Sequence, residues 1–311
     1  MLSRVANNLY WMGRYLERTE HLGRYLSVQY FASLDSPVPR QLEIALSSVL
    51  DVMGVPKSNH KILEEEVLVS ASLDDKNPVS IISSVYLARE NARNVRDTLS
   101  TQIWEAINNY YLFVSTYPVD IYKTRGLYDF TQNVLTQCSI VREKVEHTLL
   151  HDVRWHFILL GIHLERAIQI TRILMSHLND TEALLKLKMG AAIESHQWTV
   201  LLDCLEAKDM FRKIYNTLPN RKDSLEFFLF NPIFPRSVLY NLEYIDRLVK
   251  EINPADLGSQ KGVKFKTGKE ISSFRYLTVE EIDDQIIGFL GKTIHKLHAI
   301  DNIIFEAYFK K

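Results

Sequence analysis

Residues 13–26 read GRYLERTEHLGRYL, and residues 161–174 read GIHLERAIQITRIL. The two stretches share six of their fourteen residues without a gap, at a constant offset of 148 that aligns Gly13 with Gly161. In both stretches apolar residues recur every three or four positions, which is the spacing that gives an α-helix one apolar face. Because a repeated unit determines the fold, we expect an all-α protein, a large helical bundle made of two pseudo-symmetric half-bundles.

Helix boundaries are marked by a few local signals. Asn77-Pro78 has the residue types of a helix start, with asparagine as N-cap and proline in the first turn. Thr278 and Glu281 have the spacing of a capping box and predict the start of the last helix. Residues 254–276 contain three glycines and several lysines and are predicted to form a loop. No alternating segments joined by a short turn predict a β-hairpin.

Length and composition are those of a globular protein. The chain has 311 residues, 46% hydrophobic and 24% charged, which is enough apolar material for a sizeable core. We interpret it as one domain with internal halves at about residues 1–120 and 124–311. The formal net charge of −1 does not favour nucleic acid or an anionic membrane as a partner. Two widely spaced cysteines, no signal-peptide pattern and no apolar stretch long enough for a bilayer predict a cytoplasmic protein.

The Glu-Arg pair of each repeat, Glu17-Arg18 and Glu165-Arg166, is the first candidate for chemistry. Adjacent residues on a helix point in different directions and do not pair with each other. If the halves pack about a pseudo-twofold axis, Glu17 should lie near Arg166 and Glu165 near Arg18, forming ion pairs between the repeats. Apolar neighbours indicate burial, and a buried charge must be partnered. In the alternative interpretation, Glu17 or Glu165 is the acid or base of an enzyme.

A second candidate is the segment ARENARNVR, which places Arg89, Arg93 and Arg96 at i, i+4 and i+7 on one face of a predicted helix. Guanidinium groups donate paired hydrogen bonds to carboxylates and phosphates, so this face is a candidate surface for binding an anion or a substrate. Trp11 and Arg14 join it as candidates, because an aromatic ring and a guanidinium group can line a ligand pocket together. The alternative is that the arginines form ion pairs with acidic side chains of the helices packed against them.

Motifs for metals, nucleophiles and cofactors are absent from the sequence. No glutamate has a histidine three residues later, as the di-iron bundles require, and no His-Glu-x-x-His motif occurs. Cys138 and Cys204 lie in helical apolar patterns, where cysteine is usually a packing residue. The glycines of residues 258–268 are not followed by the Gly-Lys-Ser/Thr ending of a P-loop. We therefore predict neither a metal site nor a cofactor.

Five segments resemble, in order, the signatures of the bacterial alpha-E domain family, which is named for its helical content and a characteristic Glu-Arg pair. They are residues 1–26, 88–108, 160–174, 198–215 and 228–242. The resemblance covers roughly residues 1–250. One departure is Ile162-His163, where the family's second repeat more often has an Arg-aromatic pair like Arg14-Tyr15.

The resemblance implies a role in peptide or amide-bond chemistry. Genes of the family neighbour, or fuse to, a circularly permuted ATP-grasp ligase and transglutaminase-like peptidases, and this implies both as partners. We therefore expect an accessory or interaction subunit of such a system. The alternatives are an enzyme acting on peptide or amide bonds and a purely structural bundle. The family's motif positions in this chain are Glu17, Arg18, Arg89, Glu90, Arg93, Arg96, Glu165, Arg166, Pro235 and Arg236.

Overall fold

A computed structural model describes residues 2–36, 40–55, 63–122, 126–185, 191–253 and 262–310. These residues form fourteen α-helices and two short 3-10 turns, with no β-strand among them, and the all-α prediction is confirmed. Among the described helices, none combines the length and the apolarity needed to cross a lipid bilayer. The helices are α1 (Ser3–Leu34), α2 (Gln41–Met53), α3 (Glu64–Ser72), α4 (Ile81–Asn94), α5 (Thr101–Ser115), α6 (Val119–Ile121), α7 (Leu127–Thr148), α8 (Val153–Leu185), α9 (Ala191–Cys204), α10 (Lys208–Tyr215), α11 (Arg221–Phe230), α12 (Val238–Ile252), α13 (Val263–Arg275) and α14 (Ile286–Tyr308).

The chain divides into two compact units, and the boundary between Glu165 and Arg166 falls inside α8. Unit 1 holds α1 to α7 and the first part of α8. Unit 2 holds the rest of α8 and α9 to α14. The predicted halves, residues 1–120 and 124–311, and their origin in an internal repeat stay predictions.

Helix α1 is the centre of unit 1, where it packs against α2, α3, α4 and α7. Its 32 residues span about 48 Å at the usual helical rise. Leu9, Met12 and Leu26 are fully buried, as the apolar spacing requires. Polar side chains of α1 are buried as well, including Glu17 and Glu20. A helix surrounded on several sides has little surface left for water, and its charged residues must therefore find partners within the protein.

Serine hydroxyls begin the two helices that follow α3 in unit 1. Ser80 caps α4 and Ser100 caps α5, each accepting a hydrogen bond from the backbone N–H three residues later. The predicted helix start at Asn77-Pro78 is therefore wrong by three residues. The Asn77 side chain donates to the carbonyl oxygen of Ser70 (2.9 Å) and closes the preceding turn instead.

Aromatic side chains form much of the core of unit 2, where α12 packs against α11 and α13, and α13 packs against α14. Phe211, Phe227 and Phe228 are fully buried, and the Phe227 ring stacks on Phe234 at a centroid distance of 4.3 Å. The apolar face of α12, which includes Leu242, Ile245 and Val249, is buried too. Unit 2 is thus held together by apolar contacts of an ordinary kind.

The prediction of a loop over residues 254–276 is wrong for its described part, because residues 263–275 form helix α13. Residues 254–261 lie outside the described residues. Val263, Ile271 and Phe274 of α13 are buried, and the Phe274 ring lies 5.1 Å from that of Phe230. Packing of one apolar face outweighs the weak helix propensity of a stretch with a glycine at its centre.

The Glu281 half of the predicted capping box forms, but it does not start a helix. The Glu281 carboxylate accepts a hydrogen bond of 2.8 Å from the backbone N–H of Thr278. A 3-10 turn over Asp283–Gln285 follows, and α14 begins only at Ile286. The prediction that this box begins the last helix is therefore wrong, although its hydrogen bond is present.

Candidate functional site

Two glycines let α1 and the first part of α8 approach each other closely in unit 1. A Cβ atom added at Gly13 would lie 2.3 Å from the carbonyl oxygen of Ile158, and one at Gly161 would lie 2.1 Å from that of Tyr10. These contacts are reciprocal at the 148-residue offset, since Gly13 aligns with Gly161 and Tyr10 with Ile158. Only glycine permits backbones to come this near, and the crossing brings the residues that follow on both helices together.

Glu165, one turn beyond Gly161, accepts hydrogen bonds from two arginines of α1. Arg14 Nε lies 2.8 Å from Oε2, and Arg18 Nε lies 2.8 Å from Oε1. Arg18 makes a second contact of 3.2 Å to Oε2 through Nη2. Glu165 and Arg14 are 1% and 4% exposed, whereas Arg18 is partly exposed. We call these three residues the Glu165 site, in which the Glu165–Arg18 pair expected from the sequence is joined by a second guanidinium group.

Aromatic rings cover the two arginines of the Glu165 site. The guanidinium carbon of Arg14 lies 4.6 Å from the ring centroid of Trp11, and that of Arg18 lies 5.4 Å from the ring of Tyr15. The rings of Trp11 and Tyr15 are themselves 5.4 Å apart. Burial raises the pKa of Tyr15, and the charges of Arg18 and Arg14 oppose that rise. Trp11 and Arg14 are thus neighbours, as expected of pocket candidates, but the Arg14 guanidinium is engaged by Glu165.

Glu17 has different partners. His21 Nε2 lies 3.1 Å from Oε1, one helical turn away on α1, and Arg142 Nη2 of α7 lies 3.4 Å from Oε2. Glu17 is 1% exposed and His21 is fully buried, while the Arg142 side chain is 39% exposed. We call these three residues the Glu17 site. Arg166 begins unit 2, and its predicted pairing with Glu17 stays a prediction.

A further ion pair extends the Glu17 site along α1. Glu20 accepts hydrogen bonds of 3.3 Å from both terminal nitrogens of Arg24, and Arg142 also donates to Glu20. The sequence reasoning above missed Glu20, His21, Arg24 and Arg142. The i, i+4 spacing of acid and base on α1 could have revealed three of them. Arg142 carried no such signal, because it comes from another helix.

Neither motif carboxylate is open to a substrate. Both are 1% exposed. The cavity beside Glu17, which Ile158, Ile162 and Cys138 help to line, has a volume of about 10 Å³, room for no more than one water molecule. An acid or base has to reach the proton that it transfers. The geometry therefore fits charge compensation in the core.

The arginines of the second candidate lie against aromatic rings on α5. Arg89 Nε donates to Asn108 Oδ1 (2.8 Å), and its guanidinium carbon is 4.8 Å from the ring centroid of Tyr111. Arg89 and Arg96 share the Trp104 ring, at 5.6 and 5.0 Å. We call Arg89, Arg93 and Arg96 with Trp104 and Tyr111 the arginine face.

The sequence predicted that the three arginines share one helical face, and the structure does not place them so. Helix α4 ends at Asn94 because the backbone of Val95 leaves the helical conformation, and Arg96 begins a 3-10 turn. Arg93 is 59% exposed and pairs with Glu90 at 2.5 Å. Arg96 is exposed, and no acidic side chain of the described chain pairs with it. The prediction of a shared face is thus wrong for the helix, but Trp104 brings Arg89 and Arg96 together.

The remaining motif positions, Pro235 and Arg236, shape the start of α12 in unit 2. Arg236 Nη2 donates to Glu206 Oε2 (2.7 Å), and the carbonyl oxygen of Pro235 accepts from Asn241 Nδ2 (2.9 Å). Ser237 caps α12 directly afterwards. The Pro235 contact closes the turn between α11 and α12, and the Arg236 contact ties that turn to Glu206, which follows α9.

Metal and nucleophile chemistry find little support in the described ranges. No group of three or more histidine, cysteine, aspartate or glutamate side chains there could hold a metal ion. Cys138 and Cys204 are both buried and unbridged. Burial raises the pKa of Cys138 to about 11, and its Sγ lies near the hydroxyls of Thr19 (3.4 Å) and Tyr110 (3.5 Å). A reactive thiol needs the opposite shift in pKa.

A family model for a predicted alpha-helical domain with a conserved ER motif matches residues 1–309. The chain belongs to the Alpha-E family. Its resemblance to that family, inferred from five segments, is thereby confirmed. The ER motif of the family fits Glu17-Arg18 and Glu165-Arg166, and in this Alpha-E chain both motif glutamates are buried ion-pair partners.

Relatives of this Alpha-E chain include longer mycobacterial proteins. It is 24% identical over 282 residues to the uncharacterized protein Mb2597 of Mycobacterium bovis, and 23% identical over 282 residues to the uncharacterized protein Rv2567 of Mycobacterium tuberculosis. Each comparison covers 83% of this chain but 30% of the relative. The chain therefore spans about 30% of the length of the curated relatives that it matches. No solved structure matches the chain.

Proposed function

We propose that this Alpha-E chain is a binding subunit, without catalytic chemistry of its own, in a cytoplasmic system that forms or modifies peptide bonds. The observation that carries the proposal is the state of the two motif carboxylates. Glu165 lies between two arginines, Glu17 lies against His21 and Arg142, and both are 1% exposed. Residues placed in this way stabilise a scaffold, and the recognition of other molecules is left to the surface.

The arginine face is the surface that we assign to recognition. It combines Arg, Trp and Tyr, the residue types enriched at the centres of protein interfaces. Arg93 and Arg96 are exposed, and the rings of Trp104 and Tyr111 hold Arg96 and Arg89 at 5.0 and 4.8 Å. A guanidinium group held on an aromatic ring loses less freedom on binding a carboxylate. The ligand class is therefore an acidic segment of a protein or a peptide.

The partner that we propose is a circularly permuted ATP-grasp ligase, with a transglutaminase-like peptidase as the second component. This choice rests on the gene association that family membership implies. A ligase of this type activates a carboxylate, and a subunit with an arginine face would hold an acidic substrate or an acidic surface of the ligase beside it.

The experiment starts from the tagged full chain, isolated from its native host, with co-purifying proteins identified by mass spectrometry. Binding of the purified ligase to the purified chain is then measured by titration calorimetry. The test variant is Arg93→Ala/Arg96→Ala. The control, Arg40→Ala/Arg247→Ala, also removes two exposed arginines, and Arg247 likewise lies over a tyrosine ring, that of Tyr244 at 5.2 Å.

We expect the control to bind like wild type and the test variant at least tenfold more weakly, with unchanged circular dichroism. If the purified ligase fails to bind the wild-type chain, the subunit proposal is overturned. If it binds the test variant as tightly as wild type, the arginine face is not the site. The enzyme alternative would replace the proposal if the isolated chain turned over a peptide substrate and a folded Glu17→Gln or Glu165→Gln variant did not.

A further inference from the structure

A row of aromatic rings and guanidinium groups runs along α4 and α5, which pack against each other in unit 1. The ring of Tyr86 lies 6.0 Å from that of Tyr111. The guanidinium carbon of Arg89 is 4.8 Å from the Tyr111 ring and 5.6 Å from the Trp104 ring, and that of Arg96 is 5.0 Å from the Trp104 ring. We call these five residues the stacking row. Residue numbers rise along α4 and fall along α5 from contact to contact, so the two helices are antiparallel and the row ends at Tyr86 and at Arg96.

The middle of the stacking row is held by contacts within the protein. Arg89 Nε donates to Asn108 Oδ1 at 2.8 Å, and its Nη1 donates to Glu90 Oε1 at 3.2 Å. The rings of Trp104 and Tyr111, on which Arg89 stacks, are half-buried. A guanidinium group bound in this way keeps both rings in place. The two ends of the row are therefore the parts most open to a ligand.

The end of the stacking row at Tyr86 is apolar and open to water. Tyr86 is 46% exposed, and Leu112, which follows Tyr111 in the chain, is 48% exposed. The rings of Tyr86 and Tyr111 meet at 51°, so they form an angled surface rather than a parallel stack. An aromatic side chain gains from offset or edge contacts with such rings, and this end therefore suits an aromatic side chain of a ligand.

The other end of the stacking row is a cation. Arg96 is exposed, and no acidic side chain in the described ranges forms an ion pair with it. Its sequence neighbour Asp97 and the neighbour of Trp104, Glu105, are both exposed to water. A guanidinium group that stacks on a ring keeps its N–H donors in the plane of the group, where a carboxylate can accept two parallel hydrogen bonds. This end therefore suits a carboxylate.

The distance between the two ends selects the shape of the ligand. Tyr86 and Arg96 are ten residues apart in sequence, which corresponds to about 15 Å along a helix. An extended peptide rises about 3.3 Å per residue, and its side chains alternate between two sides. Residues four apart in such a peptide are therefore about 13 Å apart and point to the same side. The long side chains of tyrosine and arginine cover the small difference.

We propose that the stacking row binds an extended peptide segment in which an aromatic residue and an acidic residue are separated by three others. The aromatic side chain lies against Tyr86 and Leu112, and the carboxylate accepts hydrogen bonds from Arg96. This inference rests on the function proposed above, because it specifies which acidic segment the arginine face recognises. It adds an apolar contact at Tyr86, so that charge alone does not decide the affinity.

The test is titration calorimetry of the full chain with acetylated and amidated pentapeptides. The matched peptides are Phe-Ser-Ser-Ser-Glu and its reverse, Glu-Ser-Ser-Ser-Phe. The closely spaced peptide, Ser-Phe-Ser-Glu-Ser, has the same composition. Ser-Ser-Ser-Ser-Glu lacks the aromatic residue, and Phe-Ser-Ser-Ser-Gln lacks the charge. A short oligothymidylate is the nucleic-acid probe, because single strands also bind rows of aromatic rings and arginines.

The variants remove one end of the stacking row at a time. Tyr86→Ala removes the exposed ring, and Tyr128→Ala is its control, since Tyr128 is an exposed tyrosine of the same unit outside α4 and α5. Arg96→Gln removes the charge. Arg247→Gln is its control, since Arg247 is also exposed and also lies over an aromatic ring, that of Tyr244. Circular dichroism confirms that each variant is folded.

We expect a matched peptide, in one of its two orders, to bind at least fivefold more tightly than the closely spaced peptide and than the peptide without charge. Tyr86→Ala should remove its advantage over the peptide that lacks the aromatic residue, and the binding of that latter peptide should not change. Arg96→Gln should weaken the matched peptide at least fivefold. Tyr128→Ala and Arg247→Gln should bind like wild type.

Two kinds of failure are distinguishable. Equal binding of the matched and closely spaced peptides, or an advantage that survives Tyr86→Ala, would overturn this inference and leave the acidic ligand class of the proposed function in place. If no peptide with glutamate binds better than the peptide without charge, the acidic ligand class itself is wrong, and this inference fails with it. Tighter binding of oligothymidylate than of any peptide would assign the stacking row to nucleic acid and overturn the inference as well.

Discussion

The Glu165 site and the Glu17 site carry the same two-residue motif at aligned positions and compensate the buried carboxylate in different ways. Glu165 meets Arg14, itself buried, and Arg18, both from α1. Glu17 meets a histidine of its own helix and a half-exposed arginine of α7. The repeated motif thus fixes where a buried charge lies, whereas Arg14 and Arg142, which contact these two carboxylates, do not occupy aligned positions.

One aligned position differs between the two sites. Residue 162 aligns with residue 14, and it is isoleucine where the first repeat has arginine. Ile162 lines the small cavity beside Glu17. Arg14 lies on α1, one of the two crossing helices, and donates to Glu165. Arg142 contacts Glu17 from a neighbouring helix and is partly exposed. Arg142 thus brings to Glu17 a guanidinium group that Ile162 does not supply.

The largest effect should come from Glu165→Gln. The change removes the negative charge between two guanidinium groups, one of them buried, and breaking a buried pair typically costs about 3–5 kcal/mol. The free energy of unfolding is measured by urea denaturation followed by circular dichroism. Glu105→Gln, at an exposed acid of α5, is the control and should change little. A loss below about 1 kcal/mol would mean that the Glu165 site is no stronger than a surface ion pair.

Substitution of Gly13 and of Gly161, where α1 and α8 cross, should lower stability by similar amounts, unlike substitution of the two motif glutamates. Gly161→Ala and Gly13→Ala each push a Cβ atom to within 2.3 Å or less of a backbone carbonyl oxygen, so each should destabilise by about 3 kcal/mol. Gly291→Ala in α14 has no atom within 4 Å of the added Cβ and should stabilise by about 0.5–1 kcal/mol. Unequal losses at the two crossing glycines would show that the helices relax on one side.

A buried histidine in unit 2 offers a contrast to His21, which is paired with Glu17. His177 packs on the ring of Trp198 at 4.5 Å, and burial lowers its pKa to about 3. The unfolded chain binds a proton at His177 below about pH 6.5 and the folded chain does not. The contribution of neutral His177 to the free energy of unfolding is therefore complete above that pH. It is lost as pH falls toward 3, by about 2 kcal/mol between pH 6.5 and 5.

The measurement is the free energy of unfolding at pH 7 and pH 5 for the wild type and for His177→Gln. In His177→Gln, the difference between the free energies of unfolding at pH 7 and pH 5 should be about 2 kcal/mol smaller than in the wild type. His196→Gln, at an exposed histidine of the neighbouring helix α9, should keep the wild-type difference. An unchanged pH dependence in His177→Gln would show that the folded chain protonates this residue as readily as the unfolded chain.

The smallest effect should come from Arg142→Ala. Because the Arg142 side chain is 39% exposed, water screens its charge, and we expect a loss of about 1 kcal/mol. The substitution also opens the cavity that Arg142 and Cys138 line together. Alkylation of Cys138 should become several-fold faster relative to Cys204, as read by peptide mass spectrometry. Arg154→Ala, which removes a guanidinium group paired with Asp152, should leave the ratio of the two thiols unchanged.

Local sequence patterns predicted the helical parts of the fold well where packing and propensity agree. Apolar spacing located α1 and the first part of α8. The predictions failed where contacts distant in sequence decide the local structure. Residues 263–275 form a helix because Val263, Ile271 and Phe274 are buried against other helices. Helix α4 ends at Asn94, so Arg96 lies in a 3-10 turn instead of on the predicted helix.

By itself the sequence determined that this is an all-α protein, that Glu17 and Glu165 occupy aligned positions among apolar residues, and that each needs a cation. Hydrophobic periodicity and the cost of an unpaired buried charge are local or general rules, so a single chain of letters carries them. Only the tertiary structure decided that Arg14 joins Arg18 at Glu165 and that Arg142 reaches Glu17. Those choices depend on how the helices cross at Gly13 and Gly161. The crossing brings together Gly13 with Ile158 and Gly161 with Tyr10, pairs about 150 positions apart in sequence, which no local pattern encodes.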